Sequence, residues 1–482
     1  MSFVPNSNGN GSGTNIITLP SGNGLTWTGY TFGGWNTETD GTGTNYAVSV
    51  SFTVTGNVTL YANWEHTHIW GEWVLIKAQT VDEDGELTRT CTLDPSHTEP
   101  LLLPKTGPFH VYNIQTLEKV GKGWDGWTMA ASYIQIDDID LKNYGNWTPI
   151  ARYSSDDGFF GNYEGGNYTI SNLTINRPNS DDQGLFGYVG NGGVVKNLRL
   201  TDINVTGQNY VGGLVGTLSN ESSGTMVANC SVTGNVTGVS CVGGVVGQSH
   251  GKVTNSYSMG TVSGSVSGGQ QIGGLVGSNV GTVTNCYSTS TVTGELVGGL
   301  VGSNSNVSIV SNSYTTGNVS GTNTSPLGSC GGGVVGQNIG TLSYCYATGD
   351  VSGYNPNFGE SLVAGIVGYN SIHGGAHVCK VTNSVALNKN ISDSGSRVVT
   401  AINSGPILDN YARSDMAINL AHTPDPGHDK PDGTDITATQ WNSAYWWEHT
   451  VGFDPNVWNL ADGSLPTLKD MPGNPVQNPV VK

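Results

Sequence analysis

The chain has 482 residues and a formal net charge of −18, from 36 acidic against 18 basic side chains. Charged residues make up only 11%, hydrophobic ones 36%, and glycine numbers 72. A disordered chain would carry more charge, and a compact α/β enzyme more Leu, Ala and Lys. The acidity argues against nucleic acid or anionic lipid as partner, and no run of 18 apolar residues is present for insertion into a membrane.

Residues 1–65 are expected to form a first unit. No leader peptide is evident, and Met1-Ser2-Phe3-Val4 reads as the middle of a strand, so the chain is expected to be a fragment of a longer protein. Gly29-Tyr30-Thr31-Phe32-Gly33-Gly34-Trp35 is followed by Asp40-Gly41-Thr42-Gly43-Thr44 and by Val58-Thr59-Leu60-Tyr61-Ala62-Asn63-Trp64, whose alternation is strand-like. These residues resemble the internalin-type B repeat (Listeria-Bacteroides repeat). The resemblance implies a small β-grasp module of a bacterial extracellular protein, either a spacer or an adhesive unit.

Residues 66–104 read as a second small module. It holds His66, His68, Trp70, Trp73, Cys91 and His97. Three histidines and a thiol in so short a stretch admit a zinc reading with His66, His68, Cys91 and His97 as ligands, although no Cys-x-x-Cys pair is present. The plainer reading is a three-strand sheet whose tryptophans supply the core. Leu103-Pro104-Lys105-Thr106-Gly107 spells a wall-anchoring signal, but no hydrophobic tail comes after it, so it reads as coincidence in a linker.

Residues 105–150 carry the one clear helix. Asn113 suits an N-cap; Ile114, Leu117 and Val120 share a face, and Gly121 ends it. Such a helix is expected to cover the open end of the first coil of a repeat array, because uncovered sheet edges pair with other chains. Ile134 to Leu141 alternates and is expected to form the first coil strand.

From residue 151 to about 415 one phrase recurs: glycine, two apolar residues, glycine. It opens with Gly158-Phe159-Phe160-Gly161 and closes again at Gly187, Gly216, Gly247, Gly277, Gly302, Gly336 and Gly368, 25 to 34 residues apart. A period of that length marks a solenoid, since propeller blades need longer units. The expected fold is all-β: a parallel β-helix of eight or nine three-strand coils, with an N-terminal helical cap and a preceding β-grasp module. The Gly-Leu-Val-Gly phrase and the Asn-x-Tyr segments after it resemble the GLUG-motif repeat family. That likeness implies a bacterial secreted or cell-surface protein. It brings no catalytic motif, and the His-Glu-x-x-His of related metallopeptidases is absent.

Two ladders run through the repeat. After each corner asparagine come Cys230, Ser256, Cys286, Ser313, Cys345 and Ser384. These are all small, as an inward position demands. Cysteines two coils apart would be nearly 10 Å apart, too far for a disulfide, so they are expected to be free buried thiols. The next position runs Ser231, Tyr257, Tyr287, Tyr314, Tyr346 and Val385. Strand neighbours point to opposite faces, so the four tyrosines are expected to face outward as a ligand-binding stripe for sugars or proteins, or else to stabilise the sheet by stacking; the reverse parity would put them in the core.

Catalysis would need paired carboxylates. Glu295 and Glu360 fall two coils apart, roughly 10 Å, near the separation that inverting glycosidases use. Asp156, Asp157, Asp181 and Asp182 form a second acidic group. Acids at solenoid turns are more often simply solvated. After residue 416, a Pro/Asp/Gly-rich stretch precedes Trp441, Tyr445, Trp446, Trp447, Phe453 and Trp458. These aromatics are expected to plug the lower end of the solenoid, with a carbohydrate platform as the sharper alternative. Pro472 to Lys482 reads as a disordered tail.

The favoured reading is an extracellular adhesin-type protein whose solenoid binds carbohydrate or host glycoprotein, as a monomer or with weak end-to-end association, and with no cofactor. A glycoside hydrolase acting on a polysaccharide, and a non-catalytic stalk of a larger secreted enzyme, are the alternatives.

Overall fold

The structure is a computed structural model. It describes residues 2–3, 15–27, 29–54, 58–152, 158–190, 192–219, 224–265, 270–322, 330–354, 362–371, 379–392, 396–400, 402–403, 405–418, 423–473 and 475–481. The chain divides into two compact units, Met1–Lys105 and Thr106–Lys482.

The first unit is built from small antiparallel sheets, with no helix among its described residues. Tyr30–Asn36 lies between Asn45–Tyr46 and Tyr61–His66, while Asn15–Thr18 pairs with Ser51–Val54. Leu19, Trp35 and Leu60 are the buried apolar centre. A second sheet places Gly85–Thr90 between Val74–Lys77 and Thr98–Leu103. The expected tryptophan core of this sheet does not form. Trp70 and Trp73 are half-buried and hold the Arg89 guanidinium over their rings, at 5.2 and 4.5 Å.

The second unit is a parallel β-solenoid of about eight turns. Its helix, Ile114–Lys119, forms where the capping residues predict. The Asn113 side chain accepts from the Thr116 amide at 2.9 Å, and Leu117 and Val120 are buried in the solenoid core. It is not the only helix, because Ala438–Trp441 and Ala444–Trp446 are helical too. The coils are divided into four or five short strands rather than three. One runs Ile272–Gly273, Val276–Asn279, Thr282–Thr284, Tyr287–Ser288 and Thr291–Gly294. The extra breaks come from residues in the left-handed region, such as Asn285 at φ 54°. Asparagine tolerates that conformation and turns the chain sharply.

Seven of the eight glycine brackets stack in one column. Phe186, Val215, Val246, Val276, Val301, Val335 and Val367 lie directly over one another. The first bracket is offset: Phe159 lies beside Val189, and Ile150 takes the place below Phe186. The closing glycine is needed for close approach. A Cβ on Gly277 would sit 2.5 Å from the backbone of Cys241 and Val242 in the coil before.

The inward ladder of small residues is as expected. Cys230, Ser256, Cys286, Ser313, Cys345 and Ser384 are buried, and all seven cysteines are free. The alternation has a hydrogen-bond cause. Each serine hydroxyl accepts the backbone amide of the cysteine one coil earlier, as Ser256 does from Cys230 at 3.1 Å and Ser313 from Cys286 at 3.1 Å.

A further ladder is amide. Asn279, Asn304, Asn338 and Asn370 are fully buried. Each of the first three donates its Nδ2 to the Oδ1 of the next at 2.8 Å. A primary amide both donates and accepts, so rungs satisfy one another where a lone polar group would be costly. Asn304→Ala removes both rungs that Asn304 makes. It is expected to lower the unfolding free energy by about 2–3 kcal/mol, measured by urea denaturation against an Asn306→Ala control.

Candidate functional site

The tyrosine ladder does point away from the coil interior, but it is not open to a ligand. Tyr257, Tyr287, Tyr314 and Tyr346 stack ring on ring at 4.8, 4.9 and 5.0 Å, within 6° of parallel. Tyr287, Tyr314 and Tyr346 are at most 2% exposed, and Tyr257 is 9% exposed. The reason is the C-terminal segment. Thr434–Ile436 adds the last rung to the sheet beside Tyr411–Arg413. The chain then folds back along the solenoid's side instead of closing its end. Trp447, Phe453 and Trp458 pack on the Tyr346 ring at 5.6, 6.5 and 6.0 Å. The tail is held as well: the Tyr314 hydroxyl donates to Gln477 Oε1 at 2.8 Å, and Gln477 Nε2 donates to the Leu468 carbonyl at 2.7 Å. Burial pushes the phenols of Tyr287, Tyr314 and Tyr346 well above their ordinary range.

Of the carboxylates considered for catalysis, Glu295, Asp181 and Asp182 lie among the described residues. Glu295 is buried at 8% exposure, whereas a hydrolytic acid needs an open cleft. Glu360, Asp156 and Asp157 lie outside the described residues. Asp181 and Asp182 border a 180 Å³ hollow with Arg152 and Arg177. Their carboxylates have local partners: Asp181 accepts from Asn209 Nδ2 at 2.9 Å, and Asp182 from the Thr217 hydroxyl at 2.6 Å. Burial raises the Asp182 carboxyl to about 6, against the Thr217 bond and with help from the Asp181 charge.

The histidines and the thiol of the first unit do come together. His66 Nε2 lies 3.1 Å from Cys91 Sγ. One ligand atom each from His66, His68 and Cys91 fall within 4.8 Å of one another, as do those of His66, Asp94 and His97. The register explains the meeting. His66 ends the strand Tyr61–His66, Cys91 comes directly after Gly85–Thr90, and the Cys91 amide donates to the His97 carbonyl at 3.0 Å. Burial pushes the Cys91 thiol up, but hydrogen bonds with His68, the Leu93 and Asp94 amides and His66 outweigh it and bring it to about 6.

Sequence reasoning missed a cleft of about 640 Å³ beside the C-terminal helices, lined by Arg413, Trp441, Asn442, Asn459, Leu465 and Gln477 among others. The Arg413 guanidinium lies over the Trp441 ring at 5.6 Å. It also missed the buried Arg397, whose partners are Asp432 and Asp435. No repeat unit predicts either feature, since both form where the repeats end.

The Listeria-Bacteroides repeat domain matches residues 5–63, and the GLUG motif matches residues 207–237 and 268–293. The molecule thus carries a Listeria-Bacteroides repeat in its first unit and GLUG motifs within its β-solenoid. Halomucin of Haloquadratum walsbyi is 33% identical over 147 residues, which is 29% of this chain and 2% of that protein. Among solved structures, an IgA1 protease aligns with 90% of this chain and 32% of its own, at 13% identity and a TM-score of 0.43. The chain therefore spans only a small part of either relative.

Two outcomes are expected. Tyr314→Ala opens a cavity under the C-terminal segment and costs about 3–5 kcal/mol; limited proteolysis should then cut between residues 440 and 470 well before it does in the unaltered protein. The folded state holds the Asp182 proton more tightly than the unfolded chain does. The resulting stability is complete below about pH 4 and is lost as pH rises through about 6. Asp182→Asn should therefore stabilise at pH 8, by on the order of 1 kcal/mol after allowance for partial exposure. The gain should vanish at pH 4, as read by thermal melts.

Proposed function

We propose that this chain works outside the cell as a rigid display rod, and that it binds carbohydrate or glycoprotein in the cleft beside Trp441. The GLUG motifs, the Listeria-Bacteroides repeat and the local likeness to halomucin support the surface or secreted setting. The observation that carries the binding reading is the make-up of the cleft. An indole and a guanidinium stand beside side-chain amides, with Asn442 and Asn459 exposed. Amides pair with sugar hydroxyls as both donors and acceptors, and here the two exposed amides stand in front of Trp441 and Arg413, which are themselves buried and form the packed wall of the cleft. This reading moves the sugar site from the covered tyrosines to the cleft.

The intact chain is expected to bind a subset of glycans on an array. The exposed pair Asn442→Ala with Asn459→Ala should weaken that binding about tenfold or more without changing the melting temperature. Binding to no glycan, or equal binding by the double variant, would overturn the assignment.

A further inference from the structure

We propose that His66, His68, Cys91 and His97 form a structural zinc site that fastens the sheet of Tyr61–His66 to that of Gly85–Thr90. The geometry comes first. A tetrahedral ion with Zn–N near 2.0–2.1 Å and Zn–S near 2.3 Å needs donor atoms roughly 3.3–3.6 Å apart. His66 Nε2 and Cys91 Sγ are already 3.1 Å apart, and His68 lies within the same group. His97 stands alongside, its ring centre 4.9 Å from that of His66 and 5.0 Å from that of His68. We take its imidazole as the fourth ligand. Imidazole and thiolate together suit a borderline-soft divalent ion.

The surroundings point the same way. His97 Nδ1 is buried without a hydrogen-bond partner, a condition that a native fold seldom leaves uncompensated. The His68 ring stacks on Trp70 at 4.5 Å, and Tyr30 meets the edge of His66 at 4.5 Å while its hydroxyl reaches Asp94 at 3.4 Å. These contacts orient ligands in the manner of an outer shell. His68 is exposed, which leaves the ion a way in.

The energetic need is evident in the same stretch. Between residues 66 and 104, only Leu87, Cys91 and Leu103 are buried apolar side chains, while Val74, Leu75 and Ile76 are about half exposed. So small a core does not hold a three-strand sheet by itself, and a structural metal is a common remedy.

The test uses the full chain without an affinity tag, stripped of metal and titrated with zinc and, separately, with cobalt. The expected result is one zinc per chain by native mass spectrometry, with a thiolate-to-cobalt charge-transfer band and tetrahedral d–d absorption. Cys91→Ser should abolish the band. His68→Gln, at an exposed position that leaves the fold intact by circular dichroism, should weaken zinc binding at least about tenfold. Absence of stoichiometric zinc would overturn the proposal. So would binding that is unchanged in His68→Gln and Cys91→Ser, or a cobalt complex without the thiolate band.

Discussion

A coil of this solenoid has no interior of its own. Its valines and leucines leave water only when another coil lies above and another below, so burial and parallel pairing are a single event. That constraint produces the vertical sameness of the molecule. A side chain at one rung finds its own kind at the next: valine on valine, tyrosine on tyrosine, amide on amide. Polar groups survive inside only where they can pair in series, which the asparagine column does through its two-sided chemistry and the cysteine–serine column does through backbone amides.

The same constraint explains why the aromatic stripe is covered. Four stacked phenol rings on the outer face of a sheet present a continuous apolar surface. The C-terminal segment supplies the matching tryptophans and folds back over it. Stability and ligand access are therefore in competition along that face, and stability takes it. Polar, accessible space is left at the margin of the covering segment, where Asn442 and Asn459 meet Trp441.

The first unit obeys different rules. Its sheets are antiparallel and small, and nothing repeats from which a continuous core could be assembled. It relies instead on specific local devices: a guanidinium between two indoles, a tyrosine–aspartate bond, and convergent histidines around a thiol. One unit is held by many weak, identical contacts and the other by a few particular ones.

The amino-acid sequence by itself determined what depends on period and local geometry. The glycine brackets dictated a stack, Asn113 and Gly121 delimited the capping helix, and the run from Cys230 to Ser384 marked an inward column whose thiols stay unpaired. These are readable because each is decided within one coil and then repeated. The tertiary structure alone decided what the outward residues meet. Alternation assigns Tyr314 to the outer face, but only the return of Trp458 and Gln477, over a hundred residues later, buries it. The short stretch from His66 to His97 offered these side chains as one set, but a strand register and a loop in the folded unit are what bring His66, Cys91 and His97 together. Contacts between distant, non-repeating segments leave no periodic trace in the chain, so they become visible only once it has folded.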